Sequence, residues 1–304
     1  MTLDWVTTAL LSSAILGMVH IVDSYLISKR MPSFKAYLLV IGIFIFVTSL
    51  ALSLYFPLPT NIGAQPVFIA VLSGIARAIS VIIMLYLMKR EEVSVIIPIS
   101  NSYPIIVALI AIPTLNETIS YVQWVAIVIV VIGVLLASVK LRGKGAHITW
   151  LGKPLVLLTG SSILWAVSDV TAKYTLEYMS FWNMYWIPHL ILASAFLVIS
   201  FRSSVFREII NVKKRNSLFT IVLFNETIAV ISIVLFYWSM QRGPVSLVSA
   251  IYSSRLLFVF LYAVIISRFS NLLLESQSDK GALILRFVSV ILIVSGIVLI
   301  YITK

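Results

Sequence analysis

The sequence predicts an all-α membrane protein of ten transmembrane helices, arranged as two inverted five-helix repeats. Three observations carry this. Of 304 residues, 61% are hydrophobic and 11% charged, with a mean hydropathy of +1.10. A water-soluble fold of this length must show more charge on its surface, whereas lipid accepts apolar surface directly. The apolar residues fall in ten runs, each close to the roughly 20 residues a helix needs to span hydrocarbon. A few identities also recur between the two halves at nearly constant offset.

The runs cover residues 5–27, 36–56, 67–88, 93–113, 122–140, 154–174, 181–201, 218–240, 245–266 and 282–302. All are too long for barrel strands and show no alternation of period two, so helices are expected. The first run lacks a basic leader and a small-residue cleavage site, and reads as a retained helix. It carries His20 and Asp23, three residues apart on one face. The third centres on Arg77. The fourth holds Asn101, Tyr103 and Pro104, and the fifth Gly133. The sixth holds Trp165, Asp169 and Lys173; the seventh, His189; the eighth, Asn225 and Glu226. Tyr252 and Arg255 lie in the ninth and Gly296 in the tenth. The connections are short, leaving no room for an extramembrane domain.

The halves are residues 1–145 and 146–304. At an offset of 152, Ile79-Ser80 falls on Ile231-Ser232, Arg90 on Arg242, and Val93-Ser94 on Val245-Ser246. At 148, Ser13 falls on Ser161; at 163, Gly133 falls on Gly296. An insertion of 11 residues within 267–280 accounts for the later offset. Five helices is an odd number, so the second half enters the bilayer upside down. Such repeats form their solute site at the midplane, where the halves meet. Seventeen of the 22 basic residues fall in the odd-numbered loops and adjoining helix ends. The positive-inside rule then puts those loops in the cytoplasm and both termini outside. The net charge of +11 belongs to membrane flanks and does not indicate a nucleic-acid partner. With no cysteine, disulfides, thiol catalysis and thiolate metal sites are excluded.

One stretch has a recognisable pattern. Val93-Ser94, Pro98, Asn101 and Pro104 lead to Glu117 within Asn116-Glu117-Thr118-Ile119-Ser120, followed by Gln123 and Gly133. This resembles the EamA-type members of the drug/metabolite transporter superfamily, ten-helix proteins built by duplicating a five-helix unit. Pro104 and Glu117 match the family's spacing in helix four, and Leu164-Trp165 resembles its start to the second repeat. The second repeat departs from the motif: Leu256 stands where the proline would be, and Glu275 is the only glutamate near the equivalent of Glu117. Family members more often have cytoplasmic termini, opposite to the charge pattern here. The resemblance implies a secondary transporter moving a small metabolite by alternating access, as an exporter of the plasma membrane.

A charged side chain inside a span costs roughly 2.5–3.5 kcal/mol on insertion and needs a reason to be there. Arg77 reads either as a fixed cation for a carboxylate or phosphate, or as the partner of Glu226 or of a helix-one acid. Burial penalises an unpaired carboxylate's charge, making Glu226 a candidate for proton coupling, a role that pairing with an arginine would end. His20 and Asp23 form either a relay or a hydrogen-bonded pair. Asp169 and Lys173, four residues apart, are expected to satisfy each other, with Asp169 alternatively facing the cavity. Pro104 removes a helix hydrogen bond, so Asn101 and its neighbours mark a kink that either lines a cavity or serves packing. Tyr103, Trp165 and Tyr252 are its candidate aromatic walls, and Glu117 a cap and gate element. The expected substrate site is thus Arg77, Asn101, Tyr103, Trp165, Asp169, Glu226 and Tyr252. The two interior arginines favour an anionic or zwitterionic solute.

No HExxH, phosphate-cradling glycine loop or G-x-S-x-G occurs, and the three histidines are scattered. No cofactor or metal is expected. The other readings are an intramembrane enzyme acting on a lipid-linked substrate through Arg77, Glu226 and Asp169, and a scaffolding subunit. The partners expected are lipid and the solute, with the chain a monomer or homodimer.

Overall fold

The computed structural model describes residues 4–87, 101–138, 152–212, 215–267 and 280–304. Among these, every regular element is helical: α1 (Trp5–Tyr25), α2 (Phe34–Tyr55), α3 (Ala64–Leu87), α4 (Tyr103–Leu115), α5 (Tyr121–Ser138), α6 (Gly152–Thr175), α7 (Phe181–Ser200), α8 (Ser203–Ile210), α9 (Arg215–Arg242), α10 (Val245–Ser253), α11 (Arg255–Ser267) and α12 (Lys280–Ile302). Six stretches are long and apolar enough to cross a membrane: 5–30, 34–55, 64–84, 181–200, 215–242 and 245–266. Shorter apolar helices occupy 103–115, 121–136 and 287–302. The start of the expected fourth span, including Val93, Ser94 and Pro98, and most of the expected insertion with Glu275 lie outside the described residues.

Local sequence explains the helix ends. Ser33 opens α2 by accepting from the Ala36 amide, supplying one of the partners that a helix start lacks. Ser180 and Asn183 form a reciprocal capping box at α7. Asn116 closes α4 in the left-handed region, at φ 52°. Two features depart from the sequence reading. Residues 203–210, expected as loop, form α8, whose Val205 and Ile209 pack into a cluster with α2 and α7. The expected ninth span is broken between α10 and α11 at Ser254, which has φ −66° and ψ −4°. Ser102, 152 residues earlier, has φ −80° and ψ −5° immediately before α4. Pro104 sits in the first turn of α4, where a missing amide hydrogen costs nothing, so it does not kink that helix.

Four helix pairs dominate the packing: α5 with α12, α3 with α6, α2 with α7, and α1 with α9. Small residues hold two of these close. Across α3 and α6, Ser80 Oγ donates to the Ser161 carbonyl at 2.8 Å, and Ser161 Oγ returns to the Ser80 carbonyl at 3.0 Å. Across α1 and α9, Ser12 Oγ donates to the Ser232 carbonyl at 2.7 Å, and Ser232 Oγ to the Ser12 carbonyl at 2.8 Å. Between α5 and α12 there is no room for a side chain at either glycine. A Cβ on Gly133 would lie 2.8 Å from Ile293, and one on Gly296 would lie 2.5 Å from Val130. Adding 163 converts Val130 to Ile293 and Gly133 to Gly296, so the two contacts exchange under the sequence offset. Small residues and interhelical hydrogen bonds are what bring helices together in lipid, where hydrophobic burial supplies no drive.

The end of the bundle carrying the N terminus is tied shut. Glu117 accepts from the Val245 amide at 2.5 Å, the Ser246 amide at 3.4 Å and Ser246 Oγ at 2.7 Å, capping α10. Lys173 Nζ donates to the carbonyls of Met240 (2.8 Å) and Gly243 (3.0 Å) at the end of α9. Gly243 itself lies under the indole of Trp5. Gln123 donates to the Thr303 carbonyl at 2.8 Å, and Lys304 pairs with Asp4.

Candidate functional site

The most strongly charged buried point is formed by α3 and α6. Arg77 and Asp169 pair through Nη2 and Oδ1 at 2.5 Å, with side-chain exposures of 10% and 0%. Arg77 Nε donates to Ser168 Oγ at 3.1 Å, and Ser249 Oγ of α10 donates to Asp169 Oδ2 at 3.2 Å. Three helices thus meet on one carboxylate. The partner of Arg77 is neither Glu226 nor an acid of helix one, as the sequence reading allowed. Nor does Lys173 serve Asp169. Ser73 and Arg77 face Ser168 along the α3–α6 seam, which turns Asp169 inward and leaves Lys173 one turn away at the carbonyls of α9.

Aromatic rings surround the pair. The Arg77 guanidinium lies 4.9 Å from the centroid of Trp165. On the same indole, at 6.0 Å, lies the guanidinium of Arg255, which also covers Tyr252 at 4.9 Å. Tyr103 approaches Trp165 with ring centroids 6.0 Å apart, and Phe236 packs on Tyr252 at 4.1 Å. Arg255 follows the break at Ser254 and Tyr103 follows the equivalent turn at Ser102, so each half delivers one polar side chain beside its kink. Ser13 of α1 satisfies the carbonyls opened by the second break, donating to Ile251 at 2.9 Å and Tyr252 at 3.1 Å. Asn101 is buried at the foot of the first break.

Arg77, Tyr103, Trp165, Asp169 and Tyr252 therefore converge. Glu226 does not join them: it lies on α9 beside Asn225, whose Nδ2 donates to Asp23 Oδ1 at 2.7 Å. Tyr37 of α2 lies close enough to act on Asp23, and Glu226 feels the Asp23 charge. This makes a second polar cluster of α1, α2 and α9. His20 is accessible, and Arg255 is the charge that acts on it. His189 stacks on Tyr185 at 4.3 Å and bonds its backbone carbonyl through Nδ1 at 2.7 Å. Among the described residues no group of three or more metal-ligating side chains occurs.

Sequence reasoning passed over Tyr237, Phe236, Ser168 and Ser249. Each sits in an apolar run, where residue type does not tell which face looks inward. Tyr237 is fully buried and interacts electrostatically with Arg77.

Fold and site together define a multi-pass integral membrane protein with a charged centre enclosed by helices. Residues 3–139 match the EamA-like transporter family, which lies within the drug/metabolite transporter superfamily. The match is to a family of membrane transporters. A solved structure, described only as the crystal structure of a protein, superposes with a TM-score of 0.70 at 15% identity. The superposition covers 98% of this chain and 96% of the other, which establishes a shared fold. No curated protein matches the sequence.

Proposed function

We propose that the protein is a secondary transporter that exports a small metabolite across the plasma membrane by alternating access. Its halves, 1–145 and 146–304, are read as two inverted five-helix repeats that rock against each other about the Arg77–Asp169 centre. The observation that carries this reading is the exchange of contacts between the halves. Gly133 with Ile293 repeats as Gly296 with Val130, and each half sends one serine-paired helix against the other, Ser80 with Ser161 and Ser232 with Ser12. A pair of similar seams around a buried polar centre can exchange two arrangements related by a pseudo-two-fold rotation, one open to each side.

The tied end supports the same reading. Glu117 and Lys173 close the face that the charge asymmetry assigns to the outside, each through hydrogen bonds that link different helices. Opening that face requires them to break. The Asp23, Asn225 and Glu226 cluster, with His20, supplies protonatable groups for coupling to a proton gradient. Purified protein in liposomes loaded with a metabolite extract is expected to release at least one component faster than protein-free vesicles under an imposed pH or solute gradient. Mass spectrometry of the external medium reads the release. No accelerated component under any gradient refutes the transporter reading.

A further inference from the structure

We propose that the polar centre binds an organic monoanion, its acid group held by Arg255 and Trp165; this rests on the transporter reading. The charges set the sign. Arg77 is neutralised by Asp169, within hydrogen-bonding distance and wholly buried. Arg255 has no such partner: among the described residues it makes two cation–π contacts and no ion pair or hydrogen bond. The nearby groups that act on it are His20, Asp169 and the tyrosines 103 and 252. Asp23 and Glu226 belong to the separate α1–α2–α9 cluster, and Lys173 is engaged with carbonyls. Among the described residues the centre therefore carries one positive charge without an ion-pair partner.

The unused hydrogen-bonding groups set the chemistry. Arg255 Nη1, Trp165 Nε1 and Tyr237 Oη are buried and have no hydrogen-bond partner. Guanidinium and indole nitrogens only donate, and a phenol donates readily. The Arg255 guanidinium and the Trp165 indole are neighbours, whereas Tyr237 acts on Arg77; orphaned donors beside a fixed cation are costly in a closed protein and are satisfied by one group rich in acceptors. A carboxylate offers two oxygens matched to the guanidinium fork and spare lone pairs for the indole. The rest of the ligand meets Tyr103, Tyr252 and Phe236, whose rings favour a flat apolar body. A cation or an uncharged solute leaves Arg255 unpaired.

Three probes sharing a phenyl ring test this: 3-phenylpropionate, phenylalanine and 2-phenylethylamine, read by thermal shift and titration calorimetry on the purified full chain. Phenylpropionate is expected to stabilise the protein and to bind best. Its affinity should fall by about ten- to a hundredfold in Arg255→Gln and about tenfold in Trp165→Phe, the scale of lost hydrogen bonds to a charged group. Arg255→Lys, which keeps the charge without the fork, should fall in between and guards against a folding defect in the neutral variant. The proposal is overturned if phenylethylamine or phenylalanine binds as tightly, if Arg255→Gln binds phenylpropionate unchanged, or if phenylpropionate gives no stabilisation at millimolar concentration. Liposome flux separates the two readings. Arg255-dependent binding without flux of the same probe leaves the site standing and removes the transport role. Flux of a solute that Arg255→Gln leaves unaltered does the opposite.

Discussion

Replacing Asp169 by alanine removes the only acid paired with Arg77 among the described residues, and the consequence follows from burial. The two side chains are 10% and 0% exposed and meet at 2.5 Å, so water cannot re-solvate the guanidinium that remains. Ser168 Oγ on Nε is a neutral substitute for a fraction of the lost interaction. Breaking one partner from a buried pair costs about 3–5 kcal/mol, most of it the penalty of an uncompensated charge. Asp169→Ala should therefore lower the unfolding temperature in detergent by roughly 10 °C, at about 2–4 °C per kcal/mol for a chain of this size. Arg77→Met removes the charge and fills its volume. If the reasoning holds, Arg77→Met combined with Asp169→Ala is more stable than Asp169→Ala alone, giving a coupling of about 2 kcal/mol or more. A double variant whose loss equals the two single losses added together refutes the claim that these charges balance each other.

Two further outcomes probe the closed end and the seam. Glu117→Gln retains one acceptor but loses the charge that caps α10, so the tied end should open more often. Because the chain has no cysteine, Val248→Cys, buried in α10, can be labelled by an impermeant maleimide applied from outside. Labelling should accelerate about tenfold or more with Glu117→Gln, the effect of losing one charge-assisted hydrogen bond; equal rates refute the gate. Gly296→Ala puts a methyl group 2.5 Å from Val130 and should destabilise by about 1–3 kcal/mol through overpacking. Val130→Ala added to it should recover most of that loss in the same thermal assay; no recovery means the seam is not packed as described.

The parts of the site legible in the sequence were those where a residue type is costly in its place. Arg77 and Asp169 stand out because charge inside an apolar run demands compensation, and Asn101 because it neighbours a proline. Their partners were not legible. Spacing along one helix offered Lys173 to Asp169, but the α3–α6 seam turns the carboxylate toward Arg77, 92 positions away in the chain. Glu226 looked equal to Arg77 in cost, yet α9 carries it to Asp23 and Asn225. The break at Ser254 has no proline to announce it and is visible only against its counterpart at Ser102.

By itself, the sequence determined that this chain lives in lipid and that it is helical. Composition and run length decide those, because hydrocarbon admits only backbones that satisfy their own hydrogen bonds. The offset of 163 between Gly133 and Gly296 was readable as a coincidence of small residues. Only the packed helices made it an exchange of contacts with Ile293 and Val130. Tertiary structure alone decided which charges neutralise each other and which donors remain unused. Both depend on distances between helices far apart in the chain, and a one-dimensional pattern of polarity contains no such distances.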